Sequence, residues 1–255
     1  MWDGIQVYGD KTKHQFTVTN PTHQGYLYLN NAVIENARWA VQLWEAGNWD
    51  ATGGVVRAVD SEFRNNRVSV VFMNYENKIT GSIEYDNLSI FDDCDFIVDI
   101  NYLGTNPNDL FKYHVSCYKT KGVKFYSCGF YNNQPTKSIN DSENYGIVTA
   151  SAGIRVRAIT GKTSTFSGFN KAIFILGGSS TASTSISNTD FTNNFYGIDV
   201  LGSSSISLTN NTFDLTTTSI AGTVKLYGVE LENNTGVISK FALQKKWQIS
   251  VQNFS

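Results

Sequence analysis

This chain is poor in the residues that interrupt a fold or charge its surface. Only 3 prolines occur in 255 residues, and 16% of the chain is Asp, Glu, Lys or Arg, against about a quarter in an ordinary domain. Asn, Ser, Thr and Gly take their place, a composition that suits extracellular β proteins. The formal net charge is only −2, which argues against nucleic acid or an anionic membrane as a partner, because both need a basic face. No apolar run approaches the ~20 residues of a helical membrane span. Cysteine is scarce too: Cys94, Cys117 and Cys128 are odd in number and lack CxxC spacing, so neither a disulfide framework nor a zinc site is signalled. His14, His23 and His114 are scattered, and no nucleophile elbow, phosphate loop or nucleotide fingerprint occurs.

What the chain does have is repetition. Phe169, Phe191 and Phe213 fall on an even ruler of 22 residues, and similar text recurs around them. Val123-Lys-Phe-Tyr-Ser-Cys-Gly-Phe130-Tyr-Asn-Asn133 leads into Tyr145-Gly-Ile-Val148; Ile186-Ser-Asn-Thr-Asp-Phe191-Thr-Asn-Asn194 leads into Tyr196-Gly-Ile-Asp-Val200. Each unit reads as an alternating strand, a bend marked by an Asn pair, and a second strand often opened by Gly. Asn suits such bends because it tolerates left-handed backbone angles. Stacked coil on coil, equivalent asparagines are expected to form amide ladders. A period in the low twenties without a helical stripe predicts a solenoid. The ruler breaks between Lys78 and Lys121, although Phe111–Tyr118 alternates like one more strand and Asn106-Pro-Asn-Asp reads as a turn. Ala46–Gly54 and Gln134–Asn144 read as insertions at coil corners.

The pattern of apolar-x-apolar, a small residue or Cys, x-Phe-x-Asn-Asn, then Gly-Ile-x-Val resembles the right-handed parallel β-helix of the pectate-lyase-like superfamily. Cys94-Asp-Phe96 and Cys128-Gly-Phe130 resemble the positions where that family stacks Cys or small residues inside. The stretches Trp2–Val7 and Leu29–Ala37 look more specifically like large secreted surface proteins of Bacteroidetes-type bacteria, in which a C-terminal domain for type IX secretion is usual. The resemblance implies an all-β, right-handed parallel β-helix of about ten coils with loop insertions, forming one domain over residues 1–255. Met1 runs straight into strand-like text, so the expectation is a piece of a longer secreted or cell-surface protein. Its partners would be a polysaccharide or cell-surface glycan and, through a missing C-terminal region, the secretion machinery.

Hydrolases of that superfamily carry Asn-Thr-Asp, then Asp-Asp, then Gly-His-Gly. Asn188-Thr-Asp190 and Asp92-Asp93 are present in the wrong order and almost a hundred residues apart, too far along a solenoid to flank one glycosidic bond. Lyases of the fold need a base and a cation, often calcium. Asp93, Asp95 and Asp99 share parity and are the candidate metal ligands, while Arg57, Arg64, Arg67, Arg155 and Arg157 read as outward strand positions. Trp44, Trp49 and Asp50 are the candidate glycan contacts, because an indole stacks on a sugar face while a carboxylate bonds its hydroxyls. The reading that follows is a non-catalytic scaffold for adhesion or glycan binding, with a polysaccharide lyase or glycoside hydrolase as the alternative.

Overall fold

The structure is a computed structural model. It describes residues 1–16, 23–79, 83–104, 106–135, 144–159, 161–177, 182–202, 205–214 and 226–232, and the backbone of the short strands Ile238–Ser239, Leu243–Gln244 and Ile249–Gln252. The pair Asn233-Asn234 and the core of the insertion expected at Gln134–Asn144 lie outside the described residues.

Three long sheets of nine, eight and eight strands run side by side. Within each, every strand pairs in parallel with its counterpart one coil earlier and one coil later, as Val115 does with Val70 and Ile147. The chain therefore winds as a parallel β-helix with three strands per turn. The repeat text suggests only two, and the reason is local. The stretch Val55–Arg64, which reads as one strand, is two strands bent at Asp60, a residue with φ of 46°. Asp93, Ser127 and Asn188 turn the same corner in later coils with φ near 50°. One left-handed residue turns the chain without a run of Gly or Pro to announce it.

The interior is a set of columns one strand spacing apart, about 4.8 Å. The longest aromatic column lies in the sheet that follows this corner: Phe63, Phe96, Phe130, Phe166, Phe191 and Phe213 pair in register. Their rings stack at centroid separations of 4.7, 4.6, 4.4, 5.3 and 4.6 Å, so the backbone spacing holds each ring at near-contact with the next. The sequence ruler named Phe169 as the first of the trio, but Phe166 occupies the column. Phe169 is buried past the next corner, where its carbonyl accepts from the Phe195 amide at 3.0 Å. Coils differ in length, so an even spacing in sequence is not a register.

Small residues fill the column just after the first corner. Ser61, Cys94, Cys128, Ser164, Thr189 and Asn211 follow one another there, all buried. Cys94 and Cys128 thus stack inside as expected, and all three cysteines are buried free thiols.

The Asn pairs divide two tasks between their members. Asn65, Asn193 and Asn210 take the left-handed angle, with φ of 52–55°. The second member points inward and ties down the coil before it. Asn66 accepts from the Ala37 amide at 2.9 Å and donates to the Ile34 carbonyl at 2.8 Å. Asn194 does the same to Phe169 and Phe166, and Asn211 to Thr189 and Ile186. The expected amide-to-amide ladder is therefore replaced at these corners by amide-to-backbone staples. They satisfy an N–H and a C=O that the corner leaves unpaired.

Candidate functional site

The outer face of the nine-stranded sheet is lined by large and polar side chains, several of them buried. Its strands open on a single register column: Trp39, Val68, Tyr113, Tyr145, Lys171, Tyr196 and Tyr227. The residue after each of the last four is Gly or Ala, and it turns inward against the phenylalanine column. A Cβ on Gly197 would meet the Phe213 ring at 2.5 Å and the Gly228 carbonyl at 2.6 Å. The Tyr-Gly-Ile and Tyr-Gly-Val text is thus a packing signature that also places a large residue outside at every step.

Toward the C-terminal coils this face forms a cleft of about 370 Å³ lined by Lys171, Phe174, Tyr196, Asp199, Leu201, Glu230 and Glu232. The register explains the set. Phe174 pairs with Asp199, and Asp199 with Glu230; Leu201 pairs with Glu232. Lys171 reaches across to Asp199, Nζ to Oδ2 at 2.8 Å, with side chains only 12% and 7% exposed. Its ammonium also lies 4.0 Å from the Phe174 ring centre and within 6 Å of the Tyr145 and Tyr196 rings, a box that favours a cation. Tyr196 and Tyr227 stack at 5.2 Å.

Glu230 differs from Asp199. It is only 8% exposed, and among the described residues no group donates a hydrogen bond to it or pairs with it within salt-bridge distance. Burial pushes its carboxyl above the usual range, the charges of Asp199 and Glu232 add to this, and Lys171 opposes it. Among the described residues the cleft therefore holds three carboxylates against one lysine.

A second concavity of about 560 Å³ lies toward the other end of the helix, lined by Arg38, Trp39, Arg67, Asn106, Asn108 and Asp109. Arg67 sits over the Trp39 ring at 5.5 Å, and its buried Nε has no hydrogen-bond partner among the described residues. Arg38 pairs with Asp109 at 3.5 Å.

The tryptophans singled out from sequence lie on an antiparallel hairpin, Trp44–Glu45 with Asn48–Thr52, directly after the strand Trp39–Gln42. Trp44 and Trp49 stack on each other at 5.1 Å; Trp49 is 62% exposed, whereas Trp44 is half-buried. Asp50 pairs with Lys11.

The structure does not gather Asp93, Asp95 and Asp99 at one point. Equal parity places side chains on one face only within one strand, and the strand here is just Asp95–Val98. Asp93 is the left-handed corner residue and pairs with Lys162. Asp95 stands in register with Glu62, and burial together with that neighbour raises its carboxyl. Asp99 lies past the second corner, where burial would raise it; bonds from Asn65 and the Asn101 amide, with Arg64 nearby, outweigh that and hold it below the ordinary range. Among the described residues no three His, Cys, Asp or Glu side chains are grouped so as to hold a metal ion. Of the arginines, Arg64 pairs with Glu62, Arg155 with Asp86 at 2.7 Å, and Arg157 lies over Tyr126.

Reading the sequence for dense acidic or aromatic text misses the cleft, because its residues are spread from Lys171 to Glu232. A signal was available: Tyr196-Gly-Ile-Asp199 and Tyr227-Gly-Val-Glu230 place a carboxylate at the same offset from a repeated strand opening. Compared with family models, curated proteins and solved structures, the chain matches none. No helix among the described residues is long and apolar enough to cross a membrane.

Proposed function

We propose that this protein is a secreted or cell-surface β-helix module that holds an extended carbohydrate against the outer face of its nine-stranded sheet. The observation that carries the reading is the C-terminal cleft, where the partly buried Phe174 and Tyr196 side chains stand beside Asp199, Glu230 and Glu232. Aromatic surface supplies a stacking platform and carboxylates accept from hydroxyls, the usual composition of a small polar-ligand site. The exposed indole of Trp49 adds a second platform beyond the first full strand of the same sheet, with Asp50 beside it. The repeat text that resembles the pectate-lyase-like superfamily, and the stretches that resemble secreted surface proteins exported by type IX machinery, support the assignment to the cell exterior and to adhesion.

A second reading has one specific observation in its favour. Asp199 and Glu230 are in-register carboxylates on adjacent coils, one paired with Lys171 and the other raised by burial. Carboxylates in unlike environments are what acid-assisted glycoside hydrolysis requires.

The protein should be passed over neutral, uronate-bearing and amine-bearing polysaccharides, with calcium and then with chelator, while retention, reducing ends and unsaturated products are followed. The binding module predicts retention without turnover, reduced by Tyr196→Ala and, for contacts at the hairpin, by Trp49→Ala. Release of reducing ends that Glu230→Gln abolishes would replace that reading with a hydrolase. The absence of both retention and turnover on every glycan would refute both.

A further inference from the structure

The charge balance of the C-terminal cleft narrows the ligand. Lys171 is already engaged by Asp199 and boxed by Phe174, Tyr145 and Tyr196, so its ammonium is committed within the fold. Glu230 and Glu232 remain, on one strand with both side chains on the outer face, and neither has a salt-bridge partner among the described residues. Glu230 is over nine-tenths buried, lines the cleft and accepts no hydrogen bond from any described residue. Its carboxylate oxygens open to the cleft, so a ligand that displaces water there must donate to them in turn.

Three classes of sugar face this arrangement differently. A uronate would bring a fourth carboxylate against a net negative cleft, and like charges at close range repel. A neutral sugar would offer hydroxyl donors and leave the charge of Glu230 uncompensated. A sugar bearing a primary amine would bring an ammonium, which forms a charge-assisted bond to a carboxylate and is stronger where water is excluded. The raised carboxyl of Glu230 fits the same balance, since a cation beside it would return it to the ionised form.

We infer that the cleft takes a glycan carrying free primary amines, its ammonium seated against Glu230 and Glu232 and its ring lying along the outward edge of Tyr196, whose faces are taken by Tyr227 and Lys171. This rests on the carbohydrate-binding reading above and names the substrate class for it. A divalent cation is the poorer occupant: it wants six or more converging oxygens, and the described residues provide no cluster of three ligating side chains placed to hold one.

The test uses the intact protein and three short β-linked oligomers of equal length: glucosamine, N-acetylglucosamine and glucose. Affinities are measured by calorimetry at low and moderate salt. The amine-bearing oligomer should bind at least about tenfold more tightly than its acetylated counterpart, the difference one charge-assisted contact supplies, and the advantage should shrink with salt. Glu230→Gln, which keeps the shape of the side chain and one acceptor oxygen, should abolish the preference, bringing the amine-bearing oligomer to the affinity of its acetylated counterpart. Tyr196→Ala should weaken all three. Equal binding of the three oligomers would overturn the inference and leave the carbohydrate reading standing; no binding of any would overturn both. An amine preference that survives Glu230→Gln would remove the ammonium from this cleft and so overturn the assignment.

Discussion

At the scale of single residues, the helix interior tolerates polarity only where a partner is fixed. His114 shows the rule. It is fully buried among Phe96, Phe111, Phe130 and Phe169, with Ser69 Oγ 3.2 Å from Nδ1 and the Tyr131 carbonyl 3.3 Å from Nε2. Burial lowers its pKa from 6.5 to about 3. The folded chain therefore stays unprotonated there where the unfolded chain takes up a proton. The resulting stability is complete above pH 6.5 and is lost as pH falls from 6.5 toward 3. Replacement by Gln can preserve a donor to the Tyr131 carbonyl and removes the titration. Urea unfolding of His114→Gln should thus lose stability less steeply below neutrality, by up to about 1.4 kcal/mol per pH unit. Parallel slopes for the variant and the parent protein would show that His114 is solvated. Nothing local to His114 marks this role, because an isolated histidine looks the same whether buried or exposed.

At the scale of the element, the corners decide the winding. The Asn-Asn text is legible as a bend, and the left-handed member follows from side-chain chemistry alone. Which backbone groups the second Asn satisfies is not legible, since its partners lie about thirty residues away, as with Asn66 to Ile34 and Ala37. Asn66→Ala removes both bonds and strands a buried N–H and C=O, for an expected loss of about 2–4 kcal/mol. Asn193→Gly, at an exposed position with φ of 55°, should cost under about 1 kcal/mol. Thermal or urea unfolding of the two variants checks the division of labour, and equal losses would contradict it.

At the scale of the whole molecule, each coil touches mainly the coils before and after it, so stability should spread from neighbour to neighbour. Phe191 sits inside the ring column between Phe166 and Phe213, while Thr192 points outward and is half-buried. Phe191→Asp buries a carboxylate with nothing to pair it and should cost at least about 4 kcal/mol; Thr192→Asp should cost under about 1 kcal/mol. Hydrogen exchange should show the damage of Phe191→Asp concentrated in the coils around Phe166 to Phe213, with protection retained around Phe63 and Phe96. Uniform loss of protection along the chain would mean that the helix unfolds as one unit.

The solenoid class, the inward phenylalanines and the bends at the Asn pairs were legible in the sequence, because alternation and local backbone chemistry act over a few residues; the inward Cys positions were implied by a resemblance. Packing across coils settled the rest. Only stacking showed three strands per turn, because a corner of one left-handed residue leaves no mark in an alternating pattern. Only register put Phe166 in the ring column in place of Phe169, since the coils are of unequal length. The same register parted Asp93 and Asp99 from Asp95 by placing corners between them, and it brought Lys171, Asp199 and Glu230 together from three coils. A site assembled across coils depends on where each coil begins, and that depends on the loops, whose lengths no local pattern fixes.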